Sequence, residues 1–279
     1  MRLARNAVAA GMLALAALLA ATSGYRLARA ATPNTLVVAG SPTLAPLMAD
    51  IARRFEAANP GVTVEIRALS SGAGVEELRA RRCDVAMIAR PVGQREKGLY
   101  AFPIARDGVA IIVQRENPVR ALTQRQLVGV LTGDITDWKH VGGRSGPIRV
   151  AWRTEGAGTT DVLLQSLKLR SSQIRSHAVF FESTDALQYA AANPGAITFA
   201  SLGVAESLAK SGTSVKLLAY DGVPASRRTL SDHTYALARP LILLTTGMPS
   251  GMHKRLIDYA TSGAVADLDE KHGFVPYRQ

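Results

Sequence analysis

Residues 153–160, Arg-Thr-Glu-Gly-Ala-Gly-Thr-Thr, bring together groups that can hold a small anion without making or breaking a bond. The run 148–152 before them, Ile-Arg-Val-Ala-Trp, reads as a strand, and 161–167 reads as the body of a helix, so the glycines join a strand to a helix start. The first turn of a helix carries N–H groups without intrahelical partners and the positive end of the helix dipole, and glycine lets a ligand approach the backbone closely. Arg153 adds a permanent charge with fork geometry, and Thr159 adds a hydroxyl. The same stretch also reads as a tight turn with a solvated arginine, and at this level both readings stand.

The arrangement occurs twice more. Residues 35–39 form a buried-strand pattern, followed by Gly40-Ser41-Pro42-Thr43 and then by Leu44, Leu47, Met48, Ile51 and Phe55 at helical spacing. Ser41 and Thr43 are therefore hydroxyls at a helix start, where an ordinary N-cap is the plainer reading. Residues 62–68 lead through Ser70-Ser71-Gly72-Ala73-Gly74 into a short helix over 75–82. A strand over 84–89 is closed by Arg90-Pro91, residues 98–105 read as irregular, and 107–113 read as a long apolar strand. That strand breaks at Glu116-Asn117-Pro118, where the chain is expected to cross into a second lobe. Further helices are expected over 122–131 and from Ser183 or Thr184 to 192, strands over 196–200, 215–219 and 235–246, and a terminal helix over 251–261. Ala-Asn-Pro-Gly, a helix stop, occurs at 58–61 and again at 192–195. Strands alternating with helices imply mostly parallel sheets with ligand loops at the carboxyl ends of the strands. A chain that crosses twice makes two hinged lobes with a cleft between them. The expected division is 31–114 and 231–279 for the first lobe and 115–230 for the second.

The ends and the composition narrow the setting. Arg2 and Arg5 precede an apolar run over 7–21, and Ala28-Arg29-Ala30 has the small-x-small form of a cleavage site, so 1–30 read as an export signal cut near Ala30. The run is short for a bilayer span, which needs about 20 residues. Removing 30 of the 279 residues leaves 249, enough for one large domain or two of ordinary size. The net charge of +11 falls to +7 once Arg2, Arg5, Arg26 and Arg29 leave with the signal, a balance that can steer anions toward the surface. Aromatics at 5% and the lack of a basic tail argue against nucleic acid as a partner. Cys83 is the single cysteine, so an exported fold must hold by its core without an internal disulfide, and the thiol itself reads as a small buried hydrophobe.

Taken together, several stretches resemble the phosphate-binding proteins of the phosphate-specific ABC transporter, in the type II periplasmic-binding-protein fold. They are Gly40-Ser41-Pro42-Thr43-Leu44-Ala45-Pro46, Asn59-Pro60-Gly61-Val62, Ser71-Gly72-Ala73-Gly74, Leu122-Thr123 through Gly133-Asp134-Ile135-Thr136-Asp137-Trp138, Glu155-Gly156-Ala157-Gly158-Thr159, Asn193-Pro194-Gly195-Ala196-Ile197, Tyr235-Ala236-Leu237-Ala238-Arg239-Pro240 and Gly273-Phe274-Val275-Pro276-Tyr277. The resemblance implies an α/β fold of two lobes with a hinge and an interdomain ligand cleft. It also implies a site built from the hydroxyl and N–H of Thr43, the N–H of Leu44, Ser71, Arg153 as the cleft arginine, and Gly158 with Thr159; Ser41, Arg90 and Ala157 stand beside these as further candidates. Two positions depart from the pattern. Ala157 stands where the family usually has a serine donor, and Ala89 where it has an aspartate or serine that accepts the proton of hydrogen phosphate.

The resulting expectation is a periplasmic monomer that captures inorganic phosphate or a similar tetrahedral oxyanion, without a cofactor or metal, and delivers it to an inner-membrane ABC permease. A scaffold or signalling protein with a loosened site is the alternative that Ala89 and Ala157 favour. A phosphate-ester hydrolase needs a nucleophile with a base, or metals held by His and carboxylates. The five histidines, His140, His177, His233, His253 and His272, are far apart in sequence and none lies in a candidate ligand loop.

Overall fold

In chain order, the described elements alternate as the sequence predicts. They begin with β1 (Thr35–Gly40), α1 (Ala45–Ala58), β2 (Thr63–Ala68), α2 (Ser71–Arg79), β3 (Val85–Ile88) and β4 (Tyr100–Gln114). Then come β5 (Ala121–Leu122), α3 (Gln124–Thr132), β6 (Arg149–Arg153), α4 (Gly158–Leu167), β7 (Ala178–Phe180), α5 (Ser183–Ala192), β8 (Ala196–Ser201), α6 (Leu202–Lys210) and β9 (Val215–Tyr220). The chain ends with α7 (Arg227–Ser231), β10 (Ala238–Thr245), α8 (Gly251–Thr261), α9 (Ala266–Lys271) and β11 (Val275–Pro276). This computed structural model describes residues 34–154 and 157–277. The expected export signal over 1–30, and Glu155 and Gly156 of the Gly-rich turn, lie outside them. No helix among the described residues is long and apolar enough to cross a membrane.

Two sheets share one strand. The first lobe is ordered β2-β1-β3-β10-β4, and the second β7-β6-β8-β4-β9, with β11 and β5 as short additions. Within the first, β1 and β3 run parallel and β10 lies antiparallel to both β3 and β4. Within the second, β7, β6 and β8 run parallel, and β8 and β9 lie antiparallel to β4. Alternate residues of the first sheet enter opposite cores, as the pleat requires. Leu36, Val38, Met87 and Leu243 pack under Leu47, Ile51 and Phe55 of α1, while Val37, Ala39, Ile88 and Leu244 meet Val75 and Leu78 of α2. Burial on both faces explains why these strands read as unbroken apolar runs. Cys83 belongs to the second of these cores, and burial pushes its thiol up to about 11, in keeping with its reading as a small hydrophobe.

The long strand differs from the sequence reading in a way that matters for the site. Of residues 98–105, expected to be irregular, 100–105 enter β4, whose Tyr100–Gly108 part pairs with β10. Val109–Val113, expected in the first lobe, instead pairs with β8, and all five side chains lie in the core of the second lobe. The crossing therefore falls near Asp107 within an unbroken strand, rather than at the Glu116-Asn117-Pro118 turn. On the way back, Tyr235 and Leu237 still pack in the second core, and the Tyr235 hydroxyl donates to the Val109 carbonyl at 2.8 Å. Pairing with the first lobe resumes at Ala238.

The repeated Ala-Asn-Pro-Gly stop is local chemistry. Asn59 Nδ2 caps the Phe55 carbonyl at 2.6 Å and Asn193 Nδ2 caps the Tyr189 carbonyl at 2.8 Å, each four residues back. One copy joins α1 to β2 and the other α5 to β8, which are not equivalent places in the two sheet orders.

Asp107 and Arg239 stand directly opposite each other where β4 leaves β10 for β8. Both side chains are fully buried, and Asp107 Oδ2 accepts from Arg239 Nε at 2.9 Å and Nη2 at 2.7 Å, while Oδ1 accepts from the Ser201 hydroxyl at 3.0 Å. Breaking such a pair from one side leaves an uncompensated interior charge. Asp107→Ala should therefore lower unfolding stability by about 3–5 kcal/mol in urea denaturation.

Candidate functional site

Three helix starts carry the predicted groups, and a residue absent from the predicted set joins them. Arg239 projects from β10 and donates from Nη2 to Thr43 Oγ1 at 3.2 Å, and from Nη1 to Thr159 Oγ1 and to the Ala89 carbonyl, both at 3.3 Å. Ala89 in turn donates its N–H to Ser71 Oγ at 3.2 Å. Thr43, Ser71 and Thr159 are thus tied into one network across both lobes. Gly158 belongs to it by contact, because a Cβ there would lie 2.8 Å from the Ala89 carbonyl oxygen and 3.2 Å from Arg239 Nη1. The start of α4 lies that close to the end of β3 only because residue 158 has no side chain.

The helix starts are made differently. In α2 the cap is Ser70, whose hydroxyl accepts the Ala73 N–H at 3.0 Å, leaving Ser71 buried at the first helical position. No side chain caps α4, and among the described residues its first helical bond runs from the Asp161 N–H to the Ala157 carbonyl at 3.1 Å. The amides of Gly158, Thr159 and Thr160 precede it, the kind of terminus that suits an anion. At α1 the structure departs from the expectation. The Thr43 amide bonds to Ser41 Oγ at 3.3 Å and the Leu44 amide to the Ser41 carbonyl at 3.1 Å, so the Thr43 hydroxyl is the group this segment lends to the network. Ser41, itself fully buried, serves as the turn that seats the helix.

Arg153 ends β6 and is nearly buried, at 5% exposure. Its Nη1 and Nη2 bond to the Ser183 hydroxyl and the Phe181 carbonyl, whereas its buried Nε makes no hydrogen bond. Burial pushes its pKa below the ordinary value; Glu182 and Asp185 act against that shift, and the positive charge of Arg239 acts with it. A guanidinium stays charged at these shifts. The site therefore holds a second interior cation whose ring of partners is incomplete, and an acceptor of negative charge would satisfy both the charge and the orphan donor.

Arg90 serves the lobes rather than the network. Its guanidinium pairs with the buried carboxylate of Glu96 at 2.8 Å in its own lobe and with Asp161 of α4 at 3.1 Å across the cleft. Ala157 adds no donor beyond its backbone, and its own N–H bonds to the Thr154 carbonyl at 3.2 Å. Arg239, Asp107, Ser183 and Ser201 were not among the expected site residues. The sequence carries one signal for the first of them, an arginine inside an otherwise apolar strand, which demands a buried partner. Among the described residues no group of three or more His, Cys, Asp or Glu could hold a metal ion.

Two outcomes follow from these contacts. Gly158→Ala forces a methyl group against the Ala89 carbonyl and should cost about 1–3 kcal/mol, read by thermal unfolding. The Glu96 carboxyl would be raised by burial, yet the bonds from Arg90 and from the Gly93 N–H outweigh this and hold it below its ordinary 4.5. A depressed carboxylate adds stability above its unfolded pKa and loses it as pH falls through the folded value. Stability should therefore decline below about pH 4.5, with a shallower decline in Glu96→Gln.

Known proteins share this fold. A phosphate-binding protein PstS of Borreliella burgdorferi is 24% identical over 248 residues, covering 85% of this chain and 88% of its own. Among solved structures, one assigned as a phosphate ABC transporter substrate-binding protein with bound phosphate, from Clostridium perfringens, superposes with a TM-score of 0.81 at 27% identity, over 88% of this chain and 100% of that one. An ABC-type phosphate transport receptor from Vibrio cholerae superposes with a TM-score of 0.76 at 28% identity, over 86% of this chain and 99% of that one. Residues 27–264 match the PBP superfamily domain, and the chain, with its two lobes in the type II arrangement, belongs to that superfamily.

Proposed function

We propose that this chain is an exported solute-binding protein that captures inorganic phosphate between its lobes for an ABC transporter. The observation that carries the reading is the buried Arg153, whose Nε lacks an acceptor, in the lobe whose uncapped α4 meets Thr43 and Ser71 of the other lobe through Arg239. Three relatives that match over most of the chain are named for phosphate. Binding by N–H and O–H donors needs no cofactor and no covalent step. In this reading Arg153, Thr43, Ser71, Gly158 and Thr159 contact the ligand, and an inner-membrane permease receives it from a monomer in the periplasm. Arg90, bridging to Asp161, holds the lobes together beside the ligand rather than binding it.

Ala89 and Ala157 favour a second reading, a protein of this fold with a loosened site that serves as a scaffold or in signalling. Each missing hydrogen bond to a charged ligand removes about 1.5–3 kcal/mol, roughly tenfold or more in affinity. Calorimetric titration with phosphate, sulfate and molybdate separates the two. The expected result is phosphate binding that falls at least about tenfold in Arg153→Ala, and sulfate that competes because Ala89 offers no side-chain acceptor. Folded, ligand-free protein that binds none of the three would overturn the receptor reading and leave the scaffold.

A further inference from the structure

Arg239 has five N–H donors, and the structure uses all of them within the protein. Nε and one Nη2 hydrogen go to Asp107 Oδ2, the other Nη2 hydrogen to Thr43 Oγ1, and the two Nη1 hydrogens to the Ala89 carbonyl and Thr159 Oγ1. An arginine so committed has no donor left for an incoming anion. Its effect falls on the hydroxyls, because a guanidinium only donates and each threonine it meets must accept. A hydroxyl with a lone pair engaged in this way retains its one proton to give elsewhere. Ser71 is set in the same sense by the Ala89 N–H, which reaches Arg239 through the carbonyl of the same residue.

We infer that Arg239 is a positioning residue of the anion site: anchored on Asp107 at the crossing strand, it turns the Thr43 hydroxyl of one lobe and the Thr159 hydroxyl of the other into fixed proton donors. The inference rests on the phosphate-binding reading. Direct anion contact falls to Arg153, whose Nε is unspent, and orientation falls to Arg239. Since Asp107 and Arg239 lie where β4 passes between lobes, the same group that orients the donors also fixes their separation across the cleft. Fixed donors avoid the ordering cost that freely turning hydroxyls would incur on binding.

A double-mutant cycle tests this. Removing Arg239 alone strands the Asp107 charge, so the background variant is Asp107→Asn with Arg239→Gln, a neutral pair that can bond to each other yet is too short to reach both threonines. Phosphate affinity is measured by calorimetry for the wild type, for this background, and for each with Thr43→Val or Thr159→Val. In the wild type each valine should weaken binding about tenfold, and in the neutral background by less than about threefold, because the orienting donor is already gone. Equal factors in both backgrounds would overturn the role of Arg239 while leaving phosphate binding intact. If the wild type does not bind phosphate, the receptor reading fails, and hydrogen exchange decides the Arg239 contact by itself. Faster exchange of the Asp161 amide in the neutral background supports the Thr159 anchor, and unchanged exchange overturns it.

Discussion

The fully buried pair of Asp107 and Arg239 is the constraint on which the rest of the structure depends. Two charges withdrawn from water carry a large desolvation cost, offset only by close geometry and by satisfaction of the remaining donors and acceptors. Here Asp107 receives two bonds from Arg239 and one from Ser201, and Arg239 places its remaining hydrogens on Thr43, Ala89 and Thr159. The partners come from both lobes and from the strands that join them. Meeting the needs of one buried charge therefore fixes how the helix starts of the two lobes face one another.

The shared strand explains how the pair can occupy that place. Because β4 serves both sheets without a break, the crossing is a change of pairing partner, and the hydrogen-bond ladder continues through it. A crossing inside a strand offers little slack. The lobes also meet at Gly158 with Ala89, by bare steric approach, and at Arg90 with Asp161, by charge.

The site that results is rich in donors. Its hydroxyls have accepted bonds from Arg239 or from Ala89, its α4 has no side-chain cap, and Arg153 retains an orphan Nε in a buried setting. Such a site suits an oxyanion, whose oxygens accept and whose charge Arg153 balances. The alanine at 89 contributes to the network through its N–H and carbonyl, the two groups a side-chain replacement leaves in place.

Much of this was written in the sequence, and for a reason that also marks the limit. Alternating apolar runs, the asparagine stops at 59 and 193, the hydroxyls and glycines at three helix starts and the buried Cys83 all depend on residues within a few positions of one another, so local chemistry determines them. The sequence by itself therefore determined two α/β lobes and a set of anion-suited helix starts. Tertiary structure decided which charges meet. Arg239 bonds to Asp107, Thr159 and Thr43 across 132, 80 and 196 residues, separations over which no local pattern selects a partner. It likewise moved the crossing from the visible Glu116-Asn117-Pro118 turn to Asp107, because a strand changes sheets through its pairing, and pairing is set by the neighbours that the fold brings alongside.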